Sequence, residues 1–152
     1  MKISSREDVE APIDHVFSVV SDFSKFKDHM QRRGVEIVED ATGPEAGVGH
    51  RWSAKFTWRG RARELDAELT ELKPGQGYTI LSHSSGVNCT TVVDLVALSK
   101  TRTRILVSLD LRPTTLSSRL LVQSLKLAKG KLTTRLKQRM ELLSHRIEDG
   151  SV

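Results

Sequence analysis

Apolar residues recur at helical spacing through the last third of the chain. Leu121, Leu125, Ala128, Leu132, Leu136, Met140, Leu143 and Ile147 fall within an arc of about 120° at 100° per residue, which predicts one long helix over Thr114–Arg146. Thr114 or Thr115, just after Pro113, can cap its start, and Asp149-Gly150 ends the pattern. A helix of that length extends about 45 Å. No small core can surround it, so its support should be the face of a sheet.

The rest of the chain reads as that sheet. Lys2 to Glu10 alternates weakly and predicts a strand. Ala11-Pro12 opens a short helix with Pro12 at its first position, Asp14 in the first turn, and Val16, Phe17 and Val20 facing inward. Ser21-Asp22 breaks it, and a second short helix runs from Phe23 to Met30. Gly34 closes that helix before a strand at Val35 to Val38. Gly43-Pro44 and Gly47-Val48-Gly49 mark a loop.

From His50 the pattern becomes an antiparallel meander whose register follows from its turns. A two-residue Arg59-Gly60 turn sets Trp52 opposite Ala67 and Ala54 opposite Leu65 on one face. On the other face it sets Arg51 opposite Glu68 and Lys55 opposite Glu64, so both faces are matched at once. The hairpin of Thr90 to Leu98 against Arg102 to Arg112 likewise pairs Thr91, Val93 and Leu95 with Leu109, Val107 and Ile105, leaving Asp94, Arg102 and Arg104 outside. Between the two hairpins lies Tyr78 to Ser84. A two-residue Ser85-Gly86 loop points Tyr78, Ile80 and Ser82 inward, and a three-residue loop would point Leu81 and His83 inward instead; we favour the first.

Composition narrows the class. The 152 residues are 38% hydrophobic, which fits a single domain spanning 1–152 with one core. One cysteine, Cys89, excludes an intramolecular disulfide, and neither a transmembrane-length apolar run nor a signal-peptide core is found, so a cytoplasmic location is expected. The basicity is local: residues 100–152 carry twelve Lys/Arg against four Asp/Glu, whereas residues 1–50 carry six against ten. Lys126, Lys129, Lys131, Arg135, Lys137, Arg139 and Arg146 lie on several helix faces. They make a solvated surface, or a weak site for an anionic surface, RNA or a protein partner; no DNA-binding motif is present.

The order of strand, two short helices, long antiparallel meander and final long helix resembles the START/Bet v 1-like (SRPBCC) superfamily. Ala11-Pro12-Ile13-Asp14-His15-Val16-Phe17-Ser18-Val19-Val20-Ser21-Asp22-Phe23 resembles the first helix of its bacterial members, grouped as polyketide cyclase/dehydrase and lipid-transport-like or coenzyme Q-binding-like proteins. Ser24 to His29 lacks the Trp and Pro residues common there. The resemblance implies an α+β helix-grip fold: a curved antiparallel sheet of six or seven strands gripping the terminal helix, with a ligand cavity between them. The residues add support of their own. Ala54, Ala67, Ser82, Cys89 and Thr91 are small inward positions among Trp52, Phe56, Leu69 and Leu109, which leaves volume unless helix side chains fill it.

The expected function is therefore binding of a small hydrophobic ligand of lipid, polyketide or isoprenoid type. The alternatives are a cyclase- or dehydratase-like enzyme and a partner-, RNA- or membrane-binding module. Candidate ligand contacts are Trp52, Phe56, Trp58, Leu69, Ile80, Ser82, Cys89, Thr91 and Leu109 from the sheet, with Leu121 and Leu125 from the helix. Arg63, opposite Phe56 and close to Trp58 and Arg61, is a candidate anion anchor at the cavity mouth, or an arginine snorkelling to water. His83 is the candidate proton carrier in the enzyme reading. No catalytic signature, cofactor motif or metal spacing is seen among the five histidines. Glu64, Asp66 and Glu68 read as an outer charge ladder, and Cys89 as a small buried residue. Leu116, Leu120 and Leu127 lie opposite the main helical stripe, before Gly130. They signal a partner, membrane edge or lid, unless a bend buries both faces.

Overall fold

The structure, a computed structural model, describes residues 1–40 and 47–152; the Gly43-Pro44 part of the expected loop lies outside them. Seven antiparallel strands form one sheet in the order β1-β7-β6-β5-β4-β3-β2. They span Lys2–Val9 (β1), Glu36–Glu39 (β2), Arg51–Trp58 (β3), Arg61–Lys73 (β4), Gly77–Ser84 (β5), Val87–Ser99 (β6) and Arg102–Pro113 (β7). Helices α1 (Ile13–Val20) and α2 (Phe23–Arg32) follow β1, and α3 (Leu116–Leu127) and α4 (Lys129–Asp149) end the chain.

The turns fix the register. Arg59 and Gly60 both have positive φ (51° and 72°), as do Ser85 and Gly86 (53° and 76°), the geometry of tight two-residue hairpins whose twist suits the strands. Trp52 then pairs with Ala67 and Ala54 with Leu65, while Thr91, Val93 and Leu95 pair with Leu109, Val107 and Ile105. Tyr78, Ile80 and Ser82 face inward, as the two-residue loop requires. The outer ladder also forms: Arg51 Nε reaches Glu68 Oε1 at 2.6 Å, Ser53 Oγ donates to Asp66 at 2.9 Å, and Lys55 stands 4.0 Å from Glu64.

Three elements differ from the sequence-based expectation. Helix α1 begins at Ile13, with Pro12 as its N-cap residue at φ −63° and ψ 148°, an extended conformation outside the first turn. The terminal helix is two helices, broken at Ala128 (φ −100°, ψ 11°). Gly130 and the back-bonded Thr133 and Thr134, whose hydroxyls donate to the carbonyls of Lys129 and Gly130, weaken the turn that follows the break. Third, a bulge between Leu69 and Glu71 shifts β4 against β5. It lets Leu69 and Leu72, three residues apart, both face inward opposite Ile80 and Tyr78, which an unbroken period of two would forbid.

The caps are otherwise those the sequence offers. Asp22 accepts from the Lys25 amide at 3.1 Å, Thr115 and Ser118 form a reciprocal capping box, and Gly150 (φ 75°) ends α4. The tightly buried core sits at one end of the concave face. Val9, Ala11, Val16, Val93, Leu95, Ile105, Met140 and Ile147 close on one another there, drawn from β1, the link after it, α1, β6, β7 and α4.

Candidate functional site

Beyond that core, much of the concave face is covered less tightly, although Ile3, Leu69 and Val87 are buried there. Ala54, Phe56, Leu65, Ala67, Ile80, Ser82, Cys89, Thr91 and Leu109 all point toward the helical layer, yet all are only half-buried. A side chain on one face of a sheet is reached by solvent only from that face. Their accessibility therefore shows that this part of the concave face is not sealed by packed side chains. Leu121 and Leu125 of α3, and Leu132 and Leu136 of α4, are half-buried as well. Leu69, in contrast, is fully buried.

An aromatic group closes one flank. Phe23, at the start of α2, sets its ring edge-on to Trp52 (5.4 Å between centroids) and Tyr78 (5.0 Å). His50 also lies edge-on to Trp52, at 4.5 Å, and is buried, its Nε2 4.0 Å from Glu39. Tyr78 donates its hydroxyl to the Val20 carbonyl at 2.8 Å, and burial pushes its pKa up to about 12. Trp52 thus packs against two rings, Phe23 and His50.

At the opposite rim, at the hairpin tip of β3 and β4, two guanidinium groups contact the Trp58 ring, Arg59 at 4.4 Å and Arg63 at 4.8 Å from the centroid. Arg63 also donates to the Trp58 carbonyl (3.3 Å) and to Ser85 Oγ (2.9 Å), tying this tip to the turn between β5 and β6. Because β2 pairs only with Trp52 to Lys55, the far end of β3 is an open edge. A depression of about 420 Å³ lies along this edge, walled by Gly34 and Glu36, by Phe56 and Arg63, and by the outward-facing Lys55, Thr57, Ala62 and Glu64.

Within the concave face the polar groups are few. Ser82 Oγ donates to the Cys89 carbonyl at 3.4 Å, and Cys89 Sγ lies 3.8 Å from Thr91 Oγ1. Burial raises the Cys89 thiol pKa, partly offset by contacts with Thr91 and Ser82, so the group is a neutral thiol at neutral pH. Among the described residues no group of three or more His, Cys, Asp or Glu is arranged to hold a metal ion.

Twelve of the thirteen candidate contacts therefore lie on the concave face, at its rim or on the helix above it. His83 is the exception. It pairs with Asp66 and Asn88 on the convex face, is exposed, and its Nδ1 lies 2.6 Å from Asn88 Oδ1. The alternation of β5 places it there once the Ser85-Gly86 turn has two residues. Phe23 and His50 were not foreseen. His50 could have been found by extending the β3–β4 register one more pair, since its backbone bonds with Leu69 and it shares the parity of Trp52.

No family model matches the chain, and no curated protein sequence matches it. Solved structures do match. The protein TTHA0849 from Thermus thermophilus superposes with a TM-score of 0.68 at 15% identity, covering 100% of both chains. Ara h 8.0201 gives 0.55 at 14% identity, covering 86% of this chain and 93% of its own. The Zhui aromatase/cyclase from Streptomyces sp. R1128 gives 0.55 at 19% identity, covering 76% and 69%. At these identities the likeness is one of fold: the chain has a helix-grip fold, a curved antiparallel sheet packed on its C-terminal helices.

Proposed function

We propose that the protein binds a small apolar molecule, of lipid, polyketide or isoprenoid type, between its sheet and α3. The observation that carries this reading is the half-buried inward row from Ala54 to Leu109, apolar but for Ser82, Cys89 and Thr91. Space of that kind is favourably occupied by a molecule that removes apolar surface from water, at about 25 cal/mol per Å². Arg63, held by Trp58 and Ser85 at the rim, supplies a preorganised cation for a ligand's carboxylate or phosphate. The reading includes the reducing, cytoplasmic setting expected of a chain with one thiol.

A cyclase-type reaction, the activity named for the Streptomyces neighbour, would need a proton carrier inside the basin. His83 faces away from it. Binding is the reading the geometry supports better.

The test is uptake by the purified protein of a fluorescent fatty acid, an isoprenoid alcohol and an aromatic polyketide, followed by native mass spectrometry. Ala67→Trp, which fills the middle of the basin, should retain the fold by circular dichroism and lose uptake by about tenfold or more. Uptake unchanged in that variant, or absent from the parent for all three probes, would overturn the proposal.

A further inference from the structure

Helix α3 carries an outer face that the described fold leaves uncovered. On its wheel Leu116, Leu120 and Leu127 lie within an arc of about 40°, opposite Leu125 and the buried Ser118 and Val122. At 81%, 69% and 92% accessible they are the three most exposed large apolar side chains among the described residues. The bend at Ala128 buries none of them, so the expectation that a bent segment would cover both faces does not hold.

The chemistry beside the stripe selects its occupant. Arg119 and Lys126 stand roughly 60–80° round the wheel from Leu116, and α3 contains no acidic residue. The deficit extends well beyond α3: residues 111–140 carry eight Lys/Arg and no Asp or Glu. The start of α3 is also tied to the basic hairpin tip. Thr114 donates through its amide (2.8 Å) and hydroxyl (2.7 Å) to the Gly86 carbonyl, and the adjoining Ser85 accepts from Arg63 beside Trp58.

We propose that α3 docks on an anionic lipid bilayer. Its leucines enter the boundary between headgroups and acyl chains, and Arg119 and Lys126 reach back along their stems to the lipid phosphates. Charge alone would suit nucleic acid equally, but nucleic acid would leave the leucines in water. A bilayer satisfies both the stripe and its basic flank. The start of the docked helix is tied to the rim that holds Trp58 and Arg63, so an apolar ligand could pass between bilayer and basin; docking itself does not depend on the basin being occupied.

The experiment is cosedimentation of the full chain with phosphatidylcholine vesicles, with and without phosphatidylserine, at low and high salt. Partition onto the anionic vesicles should exceed that onto neutral ones by about tenfold or more at low salt and weaken as salt is added. The triple change Leu116→Ser, Leu120→Ser, Leu127→Ser should lower it by about tenfold or more, with an unchanged thermal midpoint because the side chains already lie in water. Arg119→Glu with Lys126→Glu should flatten the salt dependence. Failure of the parent to bind anionic vesicles, or leucine variants that bind as the parent does, would overturn the proposal. So would tight binding of a single-stranded RNA that ignores the leucine changes, which would assign the face to nucleic acid.

Discussion

The two ends of the concave face are built from the same strands and differ in what covers them. Along β6 the inward row runs Val87, Cys89, Thr91, Val93, Leu95; Val87, next to the start of α3, is buried, Cys89 and Thr91 are half-buried, and the last two are buried. Along β7, Leu111, Leu109 and Val107 are half-buried, whereas Ile105 and Thr103 are buried. Side-chain hydrophobicity does not set this boundary, because Leu109 and Leu111 are as apolar as Ile105. The cover does. At one end α4 lowers Met140 and Ile147, and α1 lowers Val16, onto the sheet. At the other, α3 meets the sheet through Ser118 and Val122, and its leucines Leu121 and Leu125 stay half-buried. Stability should therefore reside at the α4 end, and capacity for a ligand at the α3 end.

The largest expected effect separates the two ends on a single strand. Ile105→Ala removes a side chain only 1% exposed from the centre of the packed cluster and should cost about 2–5 kcal/mol. Leu109→Ala, four residues away in the same row, leaves no sealed cavity and should cost about 1 kcal/mol. Thermal denaturation would read this as a gap of several degrees, at about 2–4 °C per kcal/mol for a domain of this size. Equal losses would show the basin to be packed as tightly as the core.

Next in size is Tyr78, which packs against the core cluster and touches Phe23. It is the single tyrosine, so its titration can be followed directly. Its pKa of about 12 stands above the ordinary 10.0, so the neutral form belongs to the folded state. Stability from this group is complete below pH 10 and is lost as the pH rises through 12, by about 2–3 kcal/mol. Tyr78→Phe should give up the bond to Val20, about 1 kcal/mol at neutral pH, and remove that part of the alkaline loss. An alkaline melting curve identical in parent and variant would show that the phenol is hydrated.

A smaller effect comes from adding volume. Ala11 is buried within the core cluster, so Ala11→Leu should cost about 1–3 kcal/mol through overpacking. Ala67→Leu projects into the basin and should change stability by less than about 1 kcal/mol. Denaturant midpoints measure both. A loss at Ala67 as large as at Ala11 would mean that the basin holds no room.

What the sequence revealed, and what it hid, follows the same division. Register was legible because two glycine-bearing turns and a matched charge face each forbid a slip of one residue, and Arg51–Glu68 satisfies both demands. The bulge at Leu69 was less visible. Its signal is the spacing of Leu69 and Leu72, an odd interval in a row that otherwise runs Leu65, Ala67, Leu69. Val122 shares its azimuth with Met140, eighteen residues or about five turns further on, and belonged to the inward stripe from the start. Phe23 was hidden because its role depends on the angle at which α2 leaves α1, a tertiary quantity with no period in sequence. Whether the inward row would be covered was equally hidden, since it turns on where the terminal helix bends. Gly130 indicated the neighbourhood, but the break falls at Ala128.

The smallest expected effect lies on the convex side of the filled end. The Asp8 carboxylate accepts Arg104 Nε at 2.8 Å and Nη2 at 3.2 Å, with Arg102 at 3.5 Å. The Arg104 hydrogen bond, against a counteracting desolvation and with the charges of Arg104 and Arg102 adding to it, holds the carboxyl below its ordinary range. A depressed carboxylate contributes stability above its unfolded pKa and loses it as the pH falls through the lower, folded value. Arg104→Gln should therefore flatten the acid limb of the stability curve, and added salt should shrink the difference, because both partners meet water. Beneath this pair the Asp8 carbonyl accepts the buried Ser144 hydroxyl of α4 at 3.2 Å, so β1 is held to the helix whether or not the ions pair. If Asp8→Asn proved as costly as Ile105→Ala, the end that looks filled would owe its stability to its charged outer skin, and the contrast between the two ends would have to be redrawn.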